Sequence, residues 1–384
     1  MKREGRLVRA LARSVALCAA VGLVGCPPLT EDLDAFIECQ MERANLPGLA
    51  ACIVKEGEIV WARGYGWADL EAAVPVEADT LFLAASVSKL VTGTALMQLC
   101  EDGLLNLDDD INGYLPFDVR NPFHPDAAIT FRMLLTHTSS IKDNPRVYAM
   151  YTEGADSPIP LGDAVERYLR PGGEWYSAFG NFALRAPGTH WDYSSAGIAL
   201  AGYLVEEIAV VPFDRYCNEF IFAPLGMNET SFRLSDLDES HIAVPYTAAR
   251  AHSQPQPIGH LGHPGYPAGF MRTSVTQFAR FLAVYMNGGE LDGARVLGEE
   301  TVDEMLTVQY PELNPDQALA WIYTERAGQD VPSHSGNYLG ATTDAFLVPE
   351  EKIGIVVFAN GGELPNRSVL PAIEERLLEE AQRY

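Results

Sequence analysis

Ser86-Val87-Ser88-Lys89 decides the reading of this chain. The stretch follows an apolar run, Leu81-Phe82-Leu83-Ala84-Ala85, and opens a segment of helical character through Cys100. A serine and a lysine three residues apart share one face of a helix, so hydroxyl and amine can meet. Serine is a weak nucleophile until a neighbour takes its proton. A buried lysine can do so, because desolvation and the positive end of a helix both disfavour its ammonium form. The same helix start favours developing negative charge. Ser88 points round the helix, away from Lys89, and reads as a small buried residue. The bare S-x-x-K pattern also recurs on ordinary surface helices, where the lysine is solvated. The apolar neighbours Leu90 and Val91 argue against that here.

Two further motifs follow in order. Trp191-Asp192-Tyr193-Ser194-Ser195 comes after the turn-forming Pro187-Gly188-Thr189. His334-Ser335-Gly336 precedes an alternating segment, Ala341 to Val348, that predicts a strand. Serine–lysine, tyrosine motif, then [Lys/His]-[Ser/Thr]-Gly resembles the order in serine β-lactamases and penicillin-binding proteins. Phe131 to Ser139, Pro224-Leu225-Gly226-Met227 and Pro267-Ala268-Gly269-Phe270-Met271 are similar to the same family. On these motifs, which span about residues 45 to 362, the chain is identified as a member of the β-lactamase-related serine hydrolases. It is nearest the class C, family VIII esterase and D-aminopeptidase branch.

The resemblance implies an α+β fold of the β-lactamase/transpeptidase type. Its antiparallel sheet is built from both chain ends, flanked by helices, with an inserted all-helical subdomain. It implies Ser86 as nucleophile, Lys89 as general base or its helper, and Tyr193 as a second basic group facing the serine and the leaving group. Otherwise Tyr193 would be a packing residue. No Gly-x-Ser-x-Gly nucleophile elbow competes with Ser86. Ser195, His334, Ser335 and Gly336 are the implied substrate-binding residues. The backbone amides of Ser86 and Asn337 form the implied oxyanion hole, usually worth about 2.7–4 kcal/mol per donor. Gly336 would let the substrate approach the strand closely.

Two positions depart from the family pattern. Ser195 stands where asparagine usually contacts the acyl amide of a β-lactam, and a serine is shorter. His334 stands where penicillin-binding proteins carry a lysine that anchors a substrate carboxylate. Histidine is largely neutral near pH 7, so that anchor weakens. The implied activity is a serine hydrolase that forms and hydrolyses an acyl-enzyme on small esters or amides, including peptides with D-residues. A β-lactamase or D-alanyl-D-alanine carboxypeptidase is the close alternative. A non-catalytic lipoprotein that binds cell-wall fragments is the alternative from another class. No cofactor is implied.

No metal is implied either. His260 and His263 sit in a Pro/Gly-rich run, Gln254 to Gly269, without a flanking carboxylate, and no Cys-x-x-Cys spacing exists. Asp108-Asp109-Asp110 reads as a solvated turn. His137, in Leu-Thr-His-Thr-Ser, reads as ordering a helix start rather than moving protons. Asn144 to Phe182, with Trp175, Tyr176 and Phe179, is the segment expected to form a cleft wall.

At the start of the chain, Lys2, Arg3, Arg6 and Arg9 precede an apolar run ending Leu23-Val24-Gly25-Cys26. The run is short and interrupted by Arg13, the shape of an export signal rather than a membrane span. Leu-Val-Gly-Cys resembles a bacterial lipobox, which makes Cys26 the lipidation site and expects export with a lipid anchor on a cell membrane, at the periplasmic face or cell surface. An ordinary signal peptide is the plain alternative. Residues 1–25 carry a net charge of +4, so cleavage there changes −25 to −29. An acidic body repels nucleic acid and anionic head groups, which argues against either as a partner. Of the cysteines beyond Cys26, Cys39 and Cys52 fall on neighbouring elements and could pair, though buried thiols are common in large domains.

The organisation follows. Residues 1–25 form the signal and 26–30 a linker, leaving 31–384 as one catalytic domain. Its sheet part takes about 31–80 and 318–384, and its helical part about 81–317. Glu31 to Asn45 predicts a helix capped by Thr30, Leu49 to Ala62 a hairpin around Glu56-Gly57, Ile353 to Ala359 a strand, and Leu370 to Gln382 a last helix.

Overall fold

Two apolar runs on either side of Glu56 and Gly57 cannot stay in water, and the left-handed φ of both residues (54° and 88°) folds them back on each other. They form β1 (Gly48–Lys55) and β2 (Glu58–Asp69), paired antiparallel. The computed structural model describes residues 32–247, 254–361 and 369–384. β3 (Val74–Pro75) borders β2. From the far end of the chain come β4 (Ile322–Arg326), β5 (Gln329–Tyr338), β6 (Ala341–Val348) and β7 (Ile353–Ala359). The antiparallel order is β4-β5-β6-β7-β1-β2-β3, so the first strand of the chain lies against the last.

Alternation along the central strands feeds two cores. Ala50, Cys52, Val54, Val356 and Phe358 face the inserted helices, where α5 (Val275–Met286) packs. Leu49, Ala51, Ile53, Ile355 and Val357 face α1 (Leu33–Ala44) and α6 (Leu370–Ala381). Strands covered on both sides have no polar face, which is why Ile353–Ala359 reads as an unbroken apolar run. The same geometry overturns a Cys39–Cys52 disulfide. Cys52 is a free thiol on the sheet face turned away from α1, so it does not pair with Cys39.

The first helix is capped by Asp32, whose Oδ1 accepts from Asp34 N at 3.0 Å; the predicted cap, Thr30, and the proposed lipid site, Cys26, lie outside the described residues. α2 (Ser88–Glu101) is buried almost all round and forms the axis of the inserted region. α4 (Ser195–Ala209) packs against it, and α3 (Leu161–Leu169) packs against α4. The insertion is not purely helical. Two-residue strand pairs tie its loops together, including Phe82–Leu83 with Arg272–Thr273 and Thr152–Glu153 with Leu261–Gly262. The second of these lies inside the run expected to be loop. Asp108-Asp109-Asp110 falls in the expected solvated turn, where Asp108 also pairs with Arg132 and Asp109 accepts from Tyr114. Among the described residues no single helix is long and apolar enough to cross a membrane.

Candidate active site

The chain enters α2 through a constrained turn. Ala84 is held on both sides: its N donates to Met271 O at 2.9 Å, and its O accepts from Thr343 Oγ1 at 2.9 Å. Ala85 then takes φ 46°, a left-handed conformation that costs an L-residue roughly 1–2 kcal/mol. The reversal starts a 3-10 turn, Ala85–Val87, with Ser86 at the mouth of the helix. Lys89 follows one turn later and is almost fully buried. Its Nζ donates to Ser86 Oγ at 3.0 Å and to Ala268 O at 2.5 Å. Ser88 is structural, as its spacing predicts: its Oγ donates to Ala85 O and accepts from Met271 N. Thr92 Oγ1 reaches Pro267 O at 2.7 Å, so the segment 267–271 grips α2 and supplies the carbonyl that holds Lys89.

Tyr193 arrives from the turn ahead of α4. Ser194 Oγ caps that helix by accepting from Gly197 N at 2.9 Å. The Tyr193 phenol faces the Ser86 hydroxyl, and Lys89 Nζ lies 5.1 Å from the centre of the Tyr193 ring. Ser86 Oγ, accepting from Lys89, therefore has its own proton to give to Tyr193. Burial pushes the Tyr193 phenol well above its ordinary range. It rests as the neutral form.

His137 orders the start of α4, the role its sequence context implies. Its Nδ1 accepts from Ser194 N at 3.2 Å, its backbone O accepts from Asp192 N, and its ring lies 4.4 Å from that of Tyr193. Burial, followed by the Lys89 charge, lowers its pKa well below normal. His334 is also buried, with its ring 6.3 Å from that of Tyr193. Nδ1 meets Ser335 O at 2.9 Å, which leaves Nε2 as the lone-pair nitrogen. Burial, then Lys89, pushes the His334 pKa down to about 3. It carries no charge near neutrality.

β4 covers β5 only from Gln329 to Ser333, so the stretch 334–338 has an edge with no strand partner among the described residues. Gly336 lies on this stretch, and a Cβ there would sit 2.9 Å from Ser86 N and 2.9 Å from Ala85 Cβ. The close approach that demands glycine is to the serine turn itself, whereas the sequence reading assigned it to the substrate. Ser335 stands opposite Asp344 in register, and Asn337, opposite Thr342, is exposed. Neither lines the cleft described next.

A cleft with an empty volume of about 740 Å³, open to solvent, adjoins Ser86. Ser195 lines it beside Ser86. Of the three aromatics expected as a wall, Trp175 lines the cleft, Tyr176 packs on Phe182, and Phe179 is exposed against Phe123. Two lining residues were not anticipated as part of the site. Asp143 takes the amides of Ser195 and Ala196 on its two oxygens at 3.0 and 2.8 Å. His263 stacks on Phe270 with ring centres 5.2 Å apart. Nothing in the spacing marks Asp143, because it meets α4 52 residues later in the chain.

The Beta-lactamase family model matches residues 33–378. Protein flp of Staphylococcus aureus (strain MW2) is 25% identical over 354 residues, 90% of this chain and 65% of that protein. The chain therefore spans about two thirds of the length of such curated relatives. The octameric penicillin-binding protein homologue from Pyrococcus abyssi superposes with a TM-score of 0.74 at 25% identity, covering 90% of this chain and 77% of that one. The D-amino acid amidase from Ochrobactrum anthropi SV3 shares the fold, with a TM-score of 0.71 at 20% identity and coverage of 92% and 99%. With a family model covering nearly the whole domain, on a fold that brings the serine–lysine, tyrosine and His-Ser-Gly motifs together, the chain belongs to the Beta-lactamase family.

Proposed function

We propose that this protein forms an acyl-enzyme at Ser86 and hydrolyses small esters or amides, in the manner of an esterase or a D-amino-acid peptidase. The observation that carries the reading is the position of Ser86 Oγ between Lys89 Nζ, 3.0 Å away, and the Tyr193 oxygen. As Ser86 Oγ bonds to the substrate carbonyl carbon, its proton passes to the free amine of Lys89, which becomes the ammonium. The amides of Ser86 and Asn337 receive the oxyanion. Collapse breaks the bond to the leaving group, which takes the proton of Tyr193 while the Lys89 ammonium returns one to the phenol oxygen. Water then repeats the sequence and frees the acid.

The neutral, buried His334 supports uncharged substrates over those held by a carboxylate, since the cation that would pair with an anion is missing at that position. Ser86→Ala should abolish turnover of a chromogenic short-chain ester, and a fluorophosphonate probe should give a single adduct on Ser86. Full activity of the alanine variant, or no adduct, would sink the proposal and favour a non-catalytic binder. Nitrocefin turnover matching the ester rate would move the protein to the β-lactamases. We also propose that the domain is exported and tethered through lipid on Cys26, on the strength of its basic, apolar and Leu-Val-Gly-Cys start. Release of Cys26→Ser into the soluble fraction of a bacterial host would support this; unchanged membrane association would not.

A further inference from the structure

The cleft beside Ser86 has one chemical character along its length. Ala164, Val165, Tyr168 and Leu169 of α3 recur on one helical face, and Trp175 and Ala199 of α4 continue the apolar lining. Among the described residues no lysine or arginine lines it. Most polar groups in its walls, the Ser195 hydroxyl aside, already have protein partners. Asp143 accepts from two backbone amides of α4. Asn144 donates to Asn181 Oδ1 and accepts from Arg146 N. The Tyr168 hydroxyl donates to Lys142 O at 2.5 Å and accepts from Asn144 N at 2.8 Å. His263 accepts from Gly265 N at 2.9 Å, and burial lowers its pKa to about 4, so it is neutral. A ligand entering here finds apolar surface and a single negative charge.

Resting on the acyl-enzyme reading above, we propose that this cleft is the acyl-group site and selects an uncharged, bulky apolar acyl group of phenylacetyl size. The discrimination comes from apolar area removed from water, because few uncommitted hydrogen-bonding groups face the ligand. An acyl chain ending in a carboxylate is rejected twice: no cation pairs with it, and Asp143 repels it.

The test uses the full chain and three p-nitrophenyl esters, acetate, phenylacetate and monosuccinate, with kcat/KM measured for each. Phenylacetate should exceed acetate by about tenfold or more, in line with what hydrophobic pockets discriminate. Monosuccinate should fall below acetate. Ala164→Phe, which places a ring at the α3 end of the cleft, should lower the phenylacetate-to-acetate ratio by about tenfold. Equal or greater kcat/KM for acetate or monosuccinate in the natural chain overturns the proposal, and this comparison needs no variant. An unmoved ratio in an Ala164→Phe protein with native Tm overturns it too. Fluorophosphonate labelling of Ser86 separates the two levels. A labelled enzyme without the acyl preference loses only this inference, whereas an unlabelled one loses the acyl-enzyme reading as well.

Discussion

Gly336 and Ser86, 250 positions apart, run so close that a methyl group on the glycine would lie 2.9 Å from the serine amide. It would also collide with Thr343 Oγ1, and Thr343 holds Ala84 O just ahead of Ser86. The strand and the serine turn are therefore one rigid unit.

Gly336→Ala should force the two apart. Overpacking of this kind costs about 1–3 kcal/mol, and, on the proposed acyl-enzyme reading, a shift of the order of an ångström at Ser86 costs roughly a hundredfold in rate. Urea denaturation and kcat/KM on one short ester check both. Native stability and native rate together would show that strand and turn are free to separate.

Tyr193→Phe keeps the ring beside His137 and removes the oxygen that meets Ser86. Loss of a general acid–base group costs about 10²–10⁴-fold. The fall should appear in kcat and in the rate of fluorophosphonate labelling, with Tm little changed. A variant that labels at the natural rate would remove Tyr193 from the proton path.

His334 couples stability to pH. Its pKa is about 3 when folded, against an ordinary value near 6.5, so between those limits the unfolded chain binds a proton that the native one excludes. The associated stability is complete above about pH 6.5 and is lost as pH falls, at about 1.4 kcal/mol per unit. Lys89, His137 and Tyr193 are the titratable groups around it. Between pH 7 and 5 the natural chain should lose about 2 kcal/mol more than His334→Gln, by urea denaturation. Parallel losses would place a charged His334 in the folded state.

Behind the sheet, Arg326 Nη2 lies 2.6 Å from Asp344 Oδ2, and its Nε lies 2.8 Å from Glu374 Oε2 without an aligned hydrogen bond. Burial, followed by the Asp344 charge, raises Glu374 well above the usual carboxylate range, so one cation meets two acids that hold a proton between them. Glu374→Gln imitates the protonated acid and should leave stability within about 1 kcal/mol at pH 7. Arg326→Met strands the carboxyls and should cost about 3–5 kcal/mol. Equal effects of the two changes in denaturant titration would rule out the shared proton.

The chain's own text determined what local geometry controls. Ser86 and Lys89 meet because three residues of helix bring side chains onto one face, and Ile353–Ala359 reads as a covered strand because both its sides are apolar. Glu56-Gly57 marks the hairpin because glycine accepts a left-handed turn between two apolar runs. Only tertiary structure decided that Ala268 O holds Lys89, that Asp143 caps α4, and that Gly336 serves the serine turn. It also turned Cys52 away from α1 and fixed the charge of His334. Those outcomes depend on which distant surfaces pack together and how fully they exclude water, and neither quantity is carried by spacing along the chain.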